Sequence, residues 1–296
     1  MMKQTFKMSA FALVLGAGAV LSAPAAQAQS APVVCPGYTK GKTTLVGERT
    51  GKKVQKAFEF YNLDQVNEAL NVLYELDPSD DFDKAYVQRF IGNLLAAQEG
   101  QGGKALGYLV ESVEPRVLND LEHAQTLKLL GDLSMQEEKY TDAIKWYAAW
   151  MDFTCKEDAD TYTRLAQAYY ESKQLDKMVE PSDKAIALYD EPNKNPYVLK
   201  LTSYYERKMY PETVAVAEEL VRVFPQEATW WSRLGFFYLL VEDYKKGLST
   251  FELAYNQGYL EKENEIKTLA QLYQTNGMPY RAARLLEKHM KRGLLK

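Results

Sequence analysis

Between Trp231 and Tyr259 the apolar positions recur three, four and seven residues apart. They are Trp231, Leu234, Gly235 and Tyr238, then Gly247, Phe251, Ala254 and Tyr259. Leu234, Gly235 and Tyr238 fall on one face of a helix, and Gly247, Phe251 and Ala254 on one face of the next. Small residues at Gly235 and Gly247 let the two helices approach closely, and the large residues fill the space above and below. A single helix pair cannot bury both of its faces, so this pattern predicts a similar pair on each side.

The neighbouring sequence carries that pattern at a step of roughly 34–35 residues. Leu130-Gly131, with Tyr140, Ala143, Tyr147 and Trp150, forms one copy, and Leu165, Ala166 and Tyr169 begin the next. Tyr197, Leu201 and Tyr204, followed by Tyr210, Thr213, Ala217, Leu220 and Pro225, make a looser copy. Leu269, Ala270, Tyr273, Gly277, Ala282 and Leu286 complete another. From Ala124 to about Lys291 the chain resembles the tetratricopeptide-repeat (TPR) family. The resemblance implies an all-α, right-handed helical-repeat solenoid of about seven helix pairs whose first helices line a concave wall.

Outside the regular copies the signals weaken. Ala57, Phe60, Ala69, Leu70 and Leu73 suggest a helical pair over 51–76, and Tyr86, Phe90, Ile91 and Leu94 a helix over 82–97. The acid cluster Asp77-Pro78-Ser79-Asp80-Asp81 is a helix start; it lacks the Gly and bidentate Glu of a calcium loop. Gly100-Gln101-Gly102-Gly103-Lys104 is an inter-helix turn, without the spacer, Ser/Thr or strand of a phosphate loop. The expected organisation is a signal segment over 1–28, an irregular arm over 29–49, atypical helical repeats over 50–121 and the regular array over 122–296. The last segment, with Arg281, Arg284, Lys288, Lys291 and Arg292, reads as a polar terminal cap, an anionic partner surface being the alternative.

The first residues change the expected setting. Lys3 and Lys7 precede a short apolar run from Ser9 to Leu21, then Pro24 and the small-x-small site Ala26-Gln27-Ala28, which is the pattern of a cleaved signal peptide. The run is too short to anchor in a bilayer, no later stretch would span one, and no Cys directly follows it. The expectation is an exported protein, periplasmic in a bacterium. Removing 1–28 takes away two lysines and no acids, moving the formal charge from −4 to −6. Mildly acidic, interspersed charge is not built to grip nucleic acid. The two cysteines, Cys35 in the arm and Cys155 between repeats, are most simply one disulfide in an oxidising compartment. Two free thiols, or one paired with a partner, remain the alternative.

Equipment for catalysis is thin. The chain has two histidines, His123 and His289, and neither stands at metal-ligand spacing from Cys, Asp or Glu. No cofactor or metal site is expected, and the chain reads as non-enzymatic. Binding is the physical use of a stacked helical array. Positions flanking the Leu-small pair and following the Tyr would face the groove: Lys128, Asp132, Thr163, Gln167, Tyr170, Thr202, Tyr205, Ser232 and Phe236, with Arg89 and Asn93 upstream. Mixed polar and aromatic side chains there suit an extended peptide or partner helix. Trp231 matches the packing position, which leaves Trp230 as the expected contact residue.

One subgroup is closer. Cys35-Pro36, Val54-Gln55-Lys56-Ala57-Phe58-Glu59, Trp146-Tyr147-Ala148-Ala149-Trp150 and Ala254-Tyr255-x2-Gly258-x-Leu260-x-Lys262 resemble exported tetratricopeptide proteins that accompany TonB-type energy-transducing systems. The ending from Leu272-Tyr273 through Gly277, Pro279, Ala282-Ala283 and Leu285-Leu286-Glu287 is similar too. The resemblance implies an accessory role beside a TonB-type transport complex. An envelope-assembly or secretion adaptor using the same groove is the alternative.

Overall fold

The computed structural model describes residues 31–295, so the predicted signal segment lies outside it. Among the described residues fourteen α-helices follow one another with no strand. They pair in sequence: α1 (Glu48–Asn62) with α2 (Val66–Tyr74), α3 (Asp81–Ala96) with α4 (Gly102–Val113), and α5 (Asp120–Gln136) with α6 (Tyr140–Thr154). Next come α7 (Ala159–Glu171) with α8 (Val179–Leu188), α9 (Lys194–Glu206) with α10 (Tyr210–Val223), α11 (Ala228–Leu240) with α12 (Tyr244–Asn256), and α13 (Glu263–Thr275) with α14 (Pro279–Lys291). Each pair also packs on the next, and the result is an all-helical array of stacked helix pairs, as the repeating apolar pattern predicts.

The tightest register is in the turns inside the pairs. Asp64, Gly100, Glu138, Lys173, Lys208, Glu242 and Gly277 all have positive φ, between 57° and 75°, and recur every 34–38 residues. In six of these seven turns the following residue donates its N–H to the carbonyl five positions back, as Lys139 does to Ser134 (2.8 Å) and Met278 to Tyr273 (2.8 Å). This left-handed cap satisfies carbonyls that the helix end would otherwise orphan. Only two of the seven positions are glycine, so most turns hold an L-residue where its Cβ is crowded.

Close approach within pairs rests on the missing side chains of three glycines. A Cβ on Gly92 would lie 2.6 Å from Leu109 Cγ, on Gly131 2.6 Å from Tyr147 Cε1, and on Gly235 2.6 Å from Phe251 Cε2. Leu109, Tyr147 and Phe251 are completely buried. Burying each such side chain contributes about 1.5–3 kcal/mol, which ties the glycine spacing to stability. The α7–α8 pair is less regular. Pro181 cannot donate a backbone hydrogen bond, so it is confined to the first turn of α8, and a 3-10 turn over Leu175–Met178 precedes it.

The arm before α1 is a strap. Cys35 and Cys155 form a disulfide with Cα atoms 4.9 Å apart, which agrees with the simpler reading of the two cysteines. Val34 N donates to Thr154 O (2.8 Å), and Val33 is buried beneath. The chain then runs back along the array. Tyr38 Oη donates to Asp120 (2.6 Å), Thr44 exchanges two hydrogen bonds with Asn119, and Gly47 N donates to buried Asp83 (2.9 Å). The strap thus touches the C-terminal end of α6 and the N-terminal turns of α5 and α3. No helix among the described residues is long and apolar enough to cross a membrane.

Candidate partner-binding wall

Successive first helices stand side by side, and part of the charge predicted to face a partner links them instead. Lys128 on α5 reaches Asp158, the N-cap of α7 (3.1 Å), and lies over the Trp150 ring at 4.7 Å. Asp132, one turn along, pairs with Arg164 of α7 (2.7 Å) and accepts the Tyr147 hydroxyl (2.8 Å). The buried Tyr147 phenol is pushed well above its ordinary range by burial and by Asp132. On α3, Arg89 is buried and donates to Thr126 Oγ1 (3.0 Å) and Gln125 Oε1 (2.9 Å) of α5. Arg89 was expected to face the groove; its guanidinium instead lies between α3 and α5, where it needs these acceptors to be buried at all.

Trp230 and Trp231 take each other's expected places. Trp230 is only 6% exposed, packed with Leu234 and Tyr238 against the Val214–Val221 face of α10. Trp231 keeps an accessible edge, its indole N–H held by Pro225 O (2.9 Å). The helix register puts Trp230, Leu234 and Tyr238 on one stripe, so Trp230 takes the core place expected of its neighbour.

The remaining predicted positions divide by how much surface they keep. Gln167 is exposed, and Tyr205 is 46% exposed beside Tyr210 and Phe237. Asn93, Thr163, Tyr170, Thr202 and Phe236 are half-buried. Lys173 sits 4.9 Å above the Tyr170 ring, and Phe236 meets Phe251 edge to face at 5.1 Å. Thr163 and Thr202 return their hydroxyls to their own helices, donating to Ala159 O and Val198 O, and Ser232 is buried. Gln167 on α7 and Tyr205 on α9 therefore keep the most surface, and Tyr170 of α7 keeps part of its own.

On the other side of the first helices, sequence reading missed a recurring joint. Tyr238 of α11 donates to Glu218 of α10, with Lys246 of α12 3.5 Å from the same carboxylate. One repeat later Tyr273 donates to Glu252 (2.8 Å), which also holds Arg281 (2.8 Å). Both phenols are raised, chiefly by burial, Tyr273 to about 12. One repeat earlier Asp183 takes Lys200 (2.6 Å) in place of a tyrosine. The available signal was the 34- and 35-residue spacing of Asp183, Glu218 and Glu252.

Both histidines are buried with Nδ1 unbonded among the described residues. His123 lies edge to face with Phe153, and His289 packs on Tyr255, whose hydroxyl is 3.0 Å from Nε2. No group of three His, Cys, Asp or Glu among the described residues could hold a metal.

No family model matches the chain, and no curated protein matches it. Solved structures do resemble it. A tetratricopeptide repeat protein from Parabacteroides merdae aligns at 12% identity and a TM-score of 0.48, covering 83% of this chain and 93% of that one. MamA from Desulfovibrio magneticus aligns at 18% and 0.44, over 57% of this chain and 93% of its own. YrrB, described as a tetratricopeptide protein with an unusual peptide-binding site, aligns at 16% and 0.45, over 58% and 85%.

Proposed function

We propose that this chain is a non-enzymatic, exported protein-interaction scaffold that receives a peptide or partner helix on the wall of its first helices. The observation that carries this reading is the run of Gln167, Tyr170 and Tyr205. These side chains keep surface and hydrogen-bonding capacity on successive first helices, while their neighbours Lys128, Asp132 and Arg89 brace the wall. Aromatic side chains beside polar ones on a braced surface suit extended polypeptide, because little ordering is needed on the scaffold's side. Asn93 and Phe236 would extend the same contact toward either end.

The compartment and partner come from the sequence. The signal-like start and the Cys35–Cys155 bond favour an oxidising compartment outside the cytoplasm, the periplasm in a bacterium. The resemblance to proteins that accompany TonB-type systems favours an accessory role in such a transport complex. The test is in-cell crosslinking of tagged chain, with mass spectrometry of what it captures, beside a variant carrying Gln167→Ala, Tyr170→Ala and Tyr205→Ala. Capture of TonB-complex subunits, lost in the folded variant, is the expected result. Capture of secretion or cell-wall machinery alone would overturn the transport assignment, and undiminished capture by the variant would overturn the wall.

A further inference from the structure

The two ends of the array carry opposite charge. From Ala57 to Asp83 the chain contains eight acids and no Lys or Arg. Seven of them, Glu59, Asp64, Glu68, Glu75, Asp77, Asp80 and Asp81, are exposed, and Asp83 is buried under the strap. This run spans the end of α1, all of α2 and the turn into α3. The cations of α1 precede it, and two are engaged at once, Lys52 with Glu48 and Lys53 with Glu75.

The far end is the reverse. Along α14, Arg281, Arg284, Lys288, Lys291 and Arg292 line an open cleft of about 680 Å³ against Tyr255, Tyr273 and Tyr280, with Glu287 the one acid in its lining. Glu287 is taken by Lys291 (2.6 Å) and Arg281 by Glu252. Among the described residues Arg284, Lys288 and Arg292 form no ion pair; Lys288 donates only to the Tyr255 hydroxyl (2.7 Å). Both ends, like some interior repeats, also expose large apolar side chains: Leu63 (68% exposed) and Tyr74 (49%) at the first pair, Tyr280 (75%) and Met290 (58%) at the last.

A terminal repeat normally turns a polar, self-sufficient face to solvent, because nothing continues the stack. Here unpaired cations and exposed apolar groups at one end have a complement in the acidic, partly apolar surface at the other end of the same sequence. We propose that copies of this chain associate end to end, the basic last helix of one seated on the acidic first helix pair of the next. Such a contact joins two different surfaces, so it repeats head to tail rather than closing as a two-fold dimer. Charge supplies its register and the apolar residues its short-range contact. An anionic bilayer fits less well: the chain as a whole is acidic and the cations line a cleft rather than a plane.

The test is sedimentation velocity of the full mature chain over a broad concentration range, at about 0.01 M and about 1 M salt. The expected result is a mass rising to twice the protomer or more with concentration at low salt, weakened about tenfold or more at high salt. Two variants refine it. Arg284→Glu with Arg292→Glu, and separately Glu68→Lys with Asp77→Lys, should each stay monomeric, whereas an equal mixture should associate again. Far-ultraviolet circular dichroism confirms that both variants are folded. A wild-type chain that stays monomeric at low salt overturns the proposal, as does association that both variants retain. Binding of acidic peptides or anionic vesicles by a chain that remains monomeric overturns it equally, and reassigns the basic cleft.

Discussion

Individual glycines, hydroxyls and rings decide how closely the helices meet. Gly235 faces Phe251 with no room for a methyl group, whereas Gly107, on the exposed side of α4, has nothing within 4 Å. Gly235→Ala should therefore cost about 1–3 kcal/mol by overpacking. Gly107→Ala should stabilise by about 0.5–1 kcal/mol, because the helix loses only glycine's unfolded-state freedom. Chemical denaturation of the two variants measures both, and equal effects would contradict the packing account. The histidines give a pH dependence. Burial holds His123 below its ordinary range, helped by Arg116, and burial with Lys288 and Arg292 does the same for His289. The fold therefore disfavours the protonated rings. Their stabilising share is fully present above the unfolded value of about 6.5, and is lost as pH falls below it. Melting temperature should drop across that window, and His123→Leu should flatten part of the drop; an unchanged slope would exclude His123 as a cause. At this scale the sequence was readable where spacing fixes contact, as for Gly131 with Tyr147. It was unreadable where two adjacent large residues compete, because the choice between Trp230 and Trp231 depends on the helix register against α10.

The helix pair is the unit, and its turn is the most uniform part of it. Seven left-handed turn positions hold register through the array, yet five carry Asp, Glu or Lys side chains. Glu138→Gly or Glu242→Gly should gain about 0.5–1 kcal/mol by relieving crowding at positive φ, and Gly277→Ala should lose about as much. Calorimetry of the three variants checks the sign at each position. The Leu-small pair made α5, α7, α11 and α13 legible from sequence, with a following Tyr in the last three, and the α7–α8 connection was not, because Pro181 displaces the start of α8 behind a 3-10 turn. The tyrosine–carboxylate joints were also hidden. Each joins residues about twenty apart on different helices, and no local periodicity marks such a pair.

Across the whole molecule, stability passes from neighbour to neighbour, and the strap is what breaks that rule. The disulfide closes a loop with a sequence separation of 120 residues, and every helix from α1 to α6 lies inside it. In the chain-entropy model a loop of that length is worth about 5 kcal/mol. Because repeats contact only their neighbours, reduction should loosen α1–α6 first and leave α9–α14 protected. Limited proteolysis with and without reductant reads this directly, and early cleavage beyond α8 would contradict it. The fold class was legible because repetition multiplies a weak signal. The proposed wall was half legible: repeat register nominates its positions, but which charges are spent on bracing depends on the spacing of adjacent first helices.

In the proposed function the first helices receive a partner. The most direct test is hydrogen–deuterium exchange of the mature chain, free and bound to a partner captured in cells. Protection should concentrate on Ala159–Glu171, Lys194–Glu206 and Ala228–Leu240, the first helices α7, α9 and α11. Protection confined to the second helices, or to α14 alone, would contradict it.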